Sequence, residues 1–449
     1  MKTRNATRNP LVPATLLAFC LPGGVALAAS AQIYVDAAAI PGGDGSIQWP
    51  FNNIAGAVDE GRNRSATAGI IEVNVAAGEY LVASQIDIDY PLTLQGASAL
   101  DFDPDGRPTG TAQAGTETKV IATSTLGDKP LFYVHPKAGA QSVAVVKVSN
   151  MLLTGSVSAP TAGAIKLEKA QAFVISDLIV KGTVALTSPS VGIDVTASTG
   201  VIKRSFVSGV GSCGICVGAG TATSPAAITI QQNRSKSNGA GGLLLSGTAF
   251  PLLEVSQSLT AQVVNNDLSD NSTGKQGFGI RTLAIGTVVP SLQNVGTVTA
   301  QFNGNRIDNN RYALIVDAGF PGRNKLPLTL ATCADTRTFG ARLTLQFTGN
   351  GVSNSRVSPA LVTTTRAQVW LNPATSPIAA WQYLHGASIL IQDPAASFGG
   401  FGNFQYDTPS NDTFNNAMGG GFCPNDVLVE PLRNTVIYNG TILPAVKNF

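Results

Sequence analysis

Arginine, lysine and aspartate recur at matched offsets in the middle of the chain. Arg234, Asp267 and Arg306 each follow an asparagine (Asn233, Asn266, Asn305), and Lys236, Ser269 and Asp308 stand two residues further on. Four positions before those asparagines come Thr229, Gln262 and Gln301, and Gln346 stands in the same relation to Asn350. A guanidinium can hold a carboxylate through two parallel hydrogen bonds, and the aspartates can accept or donate a proton. Such a row suits a linear glycan, acidic or neutral. The same residues also serve a plainer role as a solvated face. There, unlike charges on neighbouring strands attract by a few tenths of a kcal/mol, and stacked glutamines favour in-register pairing.

Other groups able to do chemistry are fewer. Asp101, Asp103 and Asp105 alternate and end at Gly106, as in the first half of a calcium loop, but Ala112 stands where the closing Glu belongs. Calcium is therefore a possible ligand there, beside a solvated turn. Beyond the N-terminal stretch the cysteines are Cys213, Cys216, Cys333 and Cys423. An even count favours disulfides in an exported chain. Cys213 and Cys216 read as a local bridge, with a redox pair as the other reading, and Cys333 with Cys423 would tie two long insertions together. His135 and His385 read as surface or packing residues. Trp49, Trp370 and Trp381 could stack on sugars but more often pack caps and loops.

What positions these residues is a repeat. The frame is Asn, any residue, an aliphatic or small residue, then Asn or Gly three later. It is seen at Asn233, Asn266, Asn305 and Asn434 and more loosely at Asn150, Asp177, Ser205 and Asn350. From 150 to 350 the steps are 27, 28, 28, 33, 39 and 45 residues, so later repeats carry longer connections. Upstream of each anchor, alternate residues are apolar, as in Val298, Ala300 and Phe302 or Leu343, Leu345 and Phe347. That is strand periodicity, and no helical segment separates the repeats. The fold class predicted is all-β: a right-handed parallel β-helix, with buried asparagines hydrogen-bonded from coil to coil.

The first 31 residues read as a secretory signal: Lys2, Arg4 and Arg8, an apolar run over 11–21, and small residues ending at Ala28 or Ala31. Removing those three basic residues takes the formal charge from +2 to −1, and only 12% of residues are charged. This balance argues against nucleic acid as a partner. No later apolar run is long enough to cross a membrane. The β-helix is expected over 32–449. Within it, 33–96 forms the cap and first coils, 143–355 the regular coils, 356–426 a loop-rich elaboration and 427–449 a last coil and tail. A short helix is expected from Pro50 to Val58, with Phe51, Ile54 and Val58 on one face, and one or two helical turns from Pro377 to His385.

Several segments together resemble the opening of right-handed parallel β-helix proteins of the pectin-lyase-like superfamily. They are Tyr34-Val35-Asp36, Gly42-Gly43-Asp44-Gly45-Ser46, Pro50-Phe51 with its helix, Val73 to Tyr80, and Leu92-Thr93-Leu94-Gln95-Gly96. The resemblance implies that the helix caps the first coil. It also implies two kinds of relative: hydrolases that use clustered Asp, and lyases that use Arg or Lys as base with calcium against a uronate. This chain has no Asp-Asp pair. The sequence thus predicts an exported or surface protein, non-catalytic, that binds an extracellular or cell-envelope polysaccharide or serves as scaffold. The alternative is a polysaccharide lyase, epimerase or hydrolase. Its site would be Arg234, Lys236, Asp267, Arg306 and Asp308, flanked by Gln262 and Gln301.

Overall fold

The structure, a computed structural model, describes residues 30–155, 163–182, 191–221, 224, 226–247, 256–271, 277–285, 287–289, 292–294, 296–319, 341–364, 368–370, 381–383, 387–398, 404–407, 435–439 and 441–442. Its strands stack in an 18-stranded and a 10-stranded sheet, paired almost throughout in parallel, which is the parallel β-helix expected.

One coil shows the construction. Ala226–Gln231 leads, Gln232 turns the corner at φ 54, Arg234–Lys236 trails, Ser237 turns again at φ 55, and Gly241–Ser246 returns along the 10-stranded sheet. Alternation decides the faces. Ile228, Ile230, Ser235, Leu243 and Leu245 are buried inside, while Thr229, Arg234, Lys236 and Leu244 stand outward. The next coils repeat this in register, so Thr229, Gln262, Gln301 and Gln346 form one column.

The corners explain the asparagines. Where the chain bends, strand pairing is interrupted and its polar groups would be buried without partners. The Asn233 N–H donates to Asn266 Oδ1 at 2.9 Å, Asn266 N–H to Asn305 Oδ1 at 2.9 Å, and Asn305 N–H to Asn350 Oδ1 at 3.0 Å. A second ladder runs one corner later, from Val210 N–H to Asn238 Oδ1, then through Asn271 to Asn310.

The repeat frame is displaced in two places. Asn150 and Asp177 are the left-handed corner residues themselves (φ 60 and 56), and the ladder column there holds Met151 and Leu178, both fully buried. Asn and Asp tolerate that conformation, which is why they mimic the anchor. A slip of one residue reverses the faces: Leu152, expected inward, stands outward beside the buried Leu153. At the far end, Thr435–Tyr438 pairs with Ser388–Ile391 in the leading position, so the corner falls at Asn439 (φ 46). Asn439 Oδ1 accepts from Asp393 N–H at 2.7 Å. Asn434 lies outside the described residues.

The cap helix covers Ile54–Arg64, later and longer than expected. Asn53 is extended and accepts from Gly56 N–H at 2.7 Å, so it starts the helix and leaves Phe51 in a bridge with Val35. Ile54, Ala57, Val58 and Gly61 are buried against the first coils. The solenoid also continues through the stretch expected to be loop-rich. Ser358–Thr364, Ala387–Gln392 and Phe404–Asp407 each pair in parallel with strands of earlier coils. Trp381–Tyr383 is not helical but an antiparallel partner of Gln368–Trp370. The signal segment lies outside the described residues up to position 29, and the first strand begins at Ala31.

Candidate functional site

Arg234, Asp267 and Arg306 stand on successive coils, bridged in parallel. The outward side of Arg234 and Asp267 is covered. A hairpin, Leu100–Phe102 with Pro108–Ala112, lies across the trailing strands. Leu100 packs with Ile179 and Phe206, and a side chain at Gly110 (φ 91) would meet the Phe206 ring at 2.7 Å. Arg234 forms an ion pair with Asp103 of the hairpin and donates through Nε to Asp267 Oδ2 at 3.1 Å. Arg107 Nε donates to the Asn265 carbonyl at 3.0 Å. Much of the predicted stripe is thus engaged in clasping the hairpin.

Arg306 remains open, its side chain 56% exposed, and bonds Asp308 Oδ2 at 3.3 Å. Neighbouring Asp267 holds its guanidinium more tightly protonated. Ser353 and Asn354 donate to Asp308 Oδ1 at 2.7 and 2.8 Å, and the Ser353 bond first of all keeps that carboxyl below its ordinary range. Lys236 is half-buried on the coil of Arg234. Gln262 and Gln301 are exposed on the leading strands, across the corner from this stripe.

The three hairpin aspartates do not converge. Asp101 Oδ2 accepts from Thr111, Asp105 Oδ2 pairs with Arg107 at 3.1 Å, and Asp103 takes Arg234 with the amides of Asp105 and Arg107. Among the described residues, no group of three or more His, Cys, Asp and Glu side chains is placed to hold a metal ion. Consecutive alternation in the hairpin sends each carboxylate to its own local donor. Cys213 and Cys216 form a disulfide, while Cys333 and Cys423 lie outside the described residues. Trp49 is 65% exposed beside the cap; the side chains of Trp370 and Trp381, and His385, are not among those described.

A second constellation stands on the outer side of the 10-stranded sheet. Asp87, Tyr133, Lys166 and Asp194 are register partners on successive coils. Glu168 lies two residues beyond Lys166, on the same side, and His135 two beyond Tyr133. Tyr133 Oη donates to Glu168 Oε2 at 2.6 Å, and Lys166 Nζ reaches Glu168 Oε1 at 2.7 Å. The Tyr133 and His135 rings are 4.4 Å apart, and His135 Nε2 is 3.4 Å from Asp87 Oδ1. His135 is thus a member of a polar cluster rather than an isolated residue. Left-handed corners at Lys169 (φ 52) and Ala197 (φ 51) end these strands just past Glu168 and Thr196.

The two carboxyls of this cluster differ sharply. Burial pushes Asp194 up to about 6, against the pull of Lys166 and with a further push from Glu168. Burial acts on Glu168 in the same sense, but hydrogen bonds from Lys166 and Tyr133 outweigh it and hold Glu168 below its usual range. Burial, then the bond to Glu168, raises the Tyr133 phenol. A carboxyl that keeps its proton up to about pH 6 therefore stands one coil away from one that ionises below its usual range. Glu168 pairs with Thr196 and Asp194 with Lys166, so their Cα atoms are about 8 Å apart, from one strand spacing and two residues of rise. The signal for this cluster was present in the sequence. Tyr133-Val134-His135 and Lys166-Leu167-Glu168 both alternate, and Asp194 follows Lys166 by one repeat step. It was missed because the return strands carry no asparagine to mark their register.

Comparisons with known proteins give one family match and several distant structural likenesses. The profile of the family described as rhamnogalacturonase A/epimerase, pectate lyase-like, matches residues 39–281. The chain is similar to the A-module of the mannuronan C-5 epimerase AlgE6 of Azotobacter vinelandii, at 12% identity and TM-score 0.44, covering 79% of this chain and 82% of that one. It is also similar to the DFA-IIIase of Arthrobacter chlorophenolicus A6, at 13% identity and TM-score 0.38, covering 84% and 95%. A rhamnogalacturonan lyase matches at 12% identity and TM-score 0.33, covering 85% and 88%. No curated protein matches by sequence. With more than half of its length inside the family profile, and with the coils that the profile implies, this chain belongs to the rhamnogalacturonase A/epimerase, pectate lyase-like family.

Proposed function

We propose that this protein is an exported glycan-cleaving enzyme whose reacting groups are Asp194 and Glu168. The observation that carries the reading is the juxtaposition of these two carboxyls, on adjacent coils, with Tyr133 and Lys166 both bonded to Glu168. Glycoside cleavage needs one carboxyl that still holds a proton and one that does not. Asp194 donates its proton to the departing glycosidic oxygen. Glu168 stays ionised and faces the positive charge that develops on the sugar ring, then takes a proton from the water that adds to the anomeric carbon. Tyr133 and Lys166 fix its orientation. The N-terminal pattern of basic, apolar and small residues and the Cys213–Cys216 disulfide support export. The clasped hairpin weighs against the Arg234–Asp308 stripe as the reacting site.

The test is turnover of a panel of neutral and uronic polysaccharides by the purified protein. New reducing ends are expected, with kcat/KM falling as pH rises through about 6, the value set by Asp194. Asp194→Asn should lower kcat by about 10²–10⁴-fold. Unsaturated ends would assign a lyase instead. Binding without turnover of any glycan would return the protein to the non-catalytic reading.

A further inference from the structure

The outward side of the leading strands differs from the other two. The trailing strands carry the hairpin, and outward residues of the return strands such as Cys216 and Ile315 are buried. On the leading strands, Thr260, Gln262, Thr299, Gln301, Thr344 and Gln346 are all exposed. Strand pairing places them in two straight columns, Thr260–Thr299–Thr344 and Gln262–Gln301–Gln346, the second continuing to Gln392. The columns are about 7 Å apart and the rows about 4.8 Å apart. Across the alternate outward positions of 258–262, 297–301 and 342–346, Arg342 is the one charged residue.

We infer that this side binds an extended, neutral polysaccharide chain. Small ligands take concave sites, and this array is flat. Its hydroxyls and amides both donate and accept, as sugar hydroxyls do, and its near-absence of charge offers nothing to a polyuronate. The array repeats at fixed spacing in two directions, which only a partner with its own repeat can use at every row. A second copy of the chain fits less well. The grid covers about 14 Å by 7 Å, against the roughly 800 Å² per partner of a stable interface. A polymer needs no such area, because weak contacts repeated along one chain reinforce one another. The inference stands on a different side of the coil from Asp194 and holds whether or not that cluster turns glycan over.

Affinity electrophoresis in gels cast with galactomannan, hydroxyethyl cellulose or polygalacturonate tests it. The wild-type protein, the double variant Thr299→Glu with Thr344→Glu, the milder Gln301→Lys and the cleavage variant Asp194→Asn are compared. At least one neutral gel should retard the wild type and Asp194→Asn equally, and the double variant at least tenfold less. Gln301→Lys should fall between them, and it carries the test if the double variant fails to fold. Equal retardation of wild type and face variants would overturn the inference, as would retardation by polygalacturonate alone or by none of the three. A wild-type dimer that the face variants split would also overturn it, by making a second copy the occupant. Loss of turnover in Asp194→Asn with retardation kept would separate this surface from the cleavage site.

Discussion

Asp194 carries a cost that only function explains. Its ordinary value is 3.8 and the folded protein raises it to about 6, so the native state binds the proton more tightly than the unfolded chain. The penalty is absent below about pH 4, grows as pH rises through 4–6, and reaches about 3 kcal/mol at neutral pH. Asp194→Asn should therefore raise the thermal midpoint at pH 7 while lowering turnover, and the gain should vanish near pH 4 in a pH series of melts. Glu168 has the opposite sign: bonds from Lys166 and Tyr133 lower it, so its contribution is lost on acidification. The corner asparagines are a purely structural counterpart. Asn266 accepts from Asn233 N–H, and its own amide donates to Ile230 O. Asn266→Ala would strand both groups in the interior and should cost about 2–4 kcal/mol in denaturant unfolding.

The hairpin over the trailing strands behaves as a separate small unit held at three points, the Leu100–Ile179–Phe206 contact, the Asp103–Arg234–Asp267 ion pairs and the Arg107 bond to the Asn265 carbonyl. Arg234→Ala removes the second and leaves Asp103 half-buried without its cation. Limited proteolysis should then cut within 100–112 at least several-fold faster, with the coil strands still protected. The hairpin also shows what the sequence could express. Alternation and the Asn frame gave the coils, because a buried amide column imposes one residue type at one offset. The same logic placed Arg234, Asp267 and Arg306 on consecutive coils. It could not show that residues from position 100 fold back onto position 234, since that contact joins segments with no common period. It failed at Asn150 and Asp177, where the left-handed corner itself asks for Asn or Asp. It passed over Tyr133, His135, Lys166, Glu168 and Asp194 because strands facing away from the ladders leave no repeated polar mark. The longer steps of later repeats were legible.

Across the solenoid the longest of the added connections enter at the passage from return strand to the next leading strand. Glu168 is followed almost at once by Ala170 and Thr196 by Thr199, whereas Gly319 gives way only to Ala341 and Thr364 only to Ala387. The first corner stays tight, because the asparagine ladder from Asn233 to Asn350 crosses it, whereas the second takes extra residues, as from Gly182 to Val191 and from Asn271 to Phe278. Coils in such an array interact with nearest neighbours alone. Pitch is therefore fixed at the first corner and length is free at the other two. Foreign peptides spliced between Thr196 and Thr199 should leave the melting midpoint within a few degrees of the parent, while the same splice beside Asn266 should prevent folding. The protein is, in effect, a ruler graduated along one edge, and new sequence can be written away from that edge without disturbing the scale.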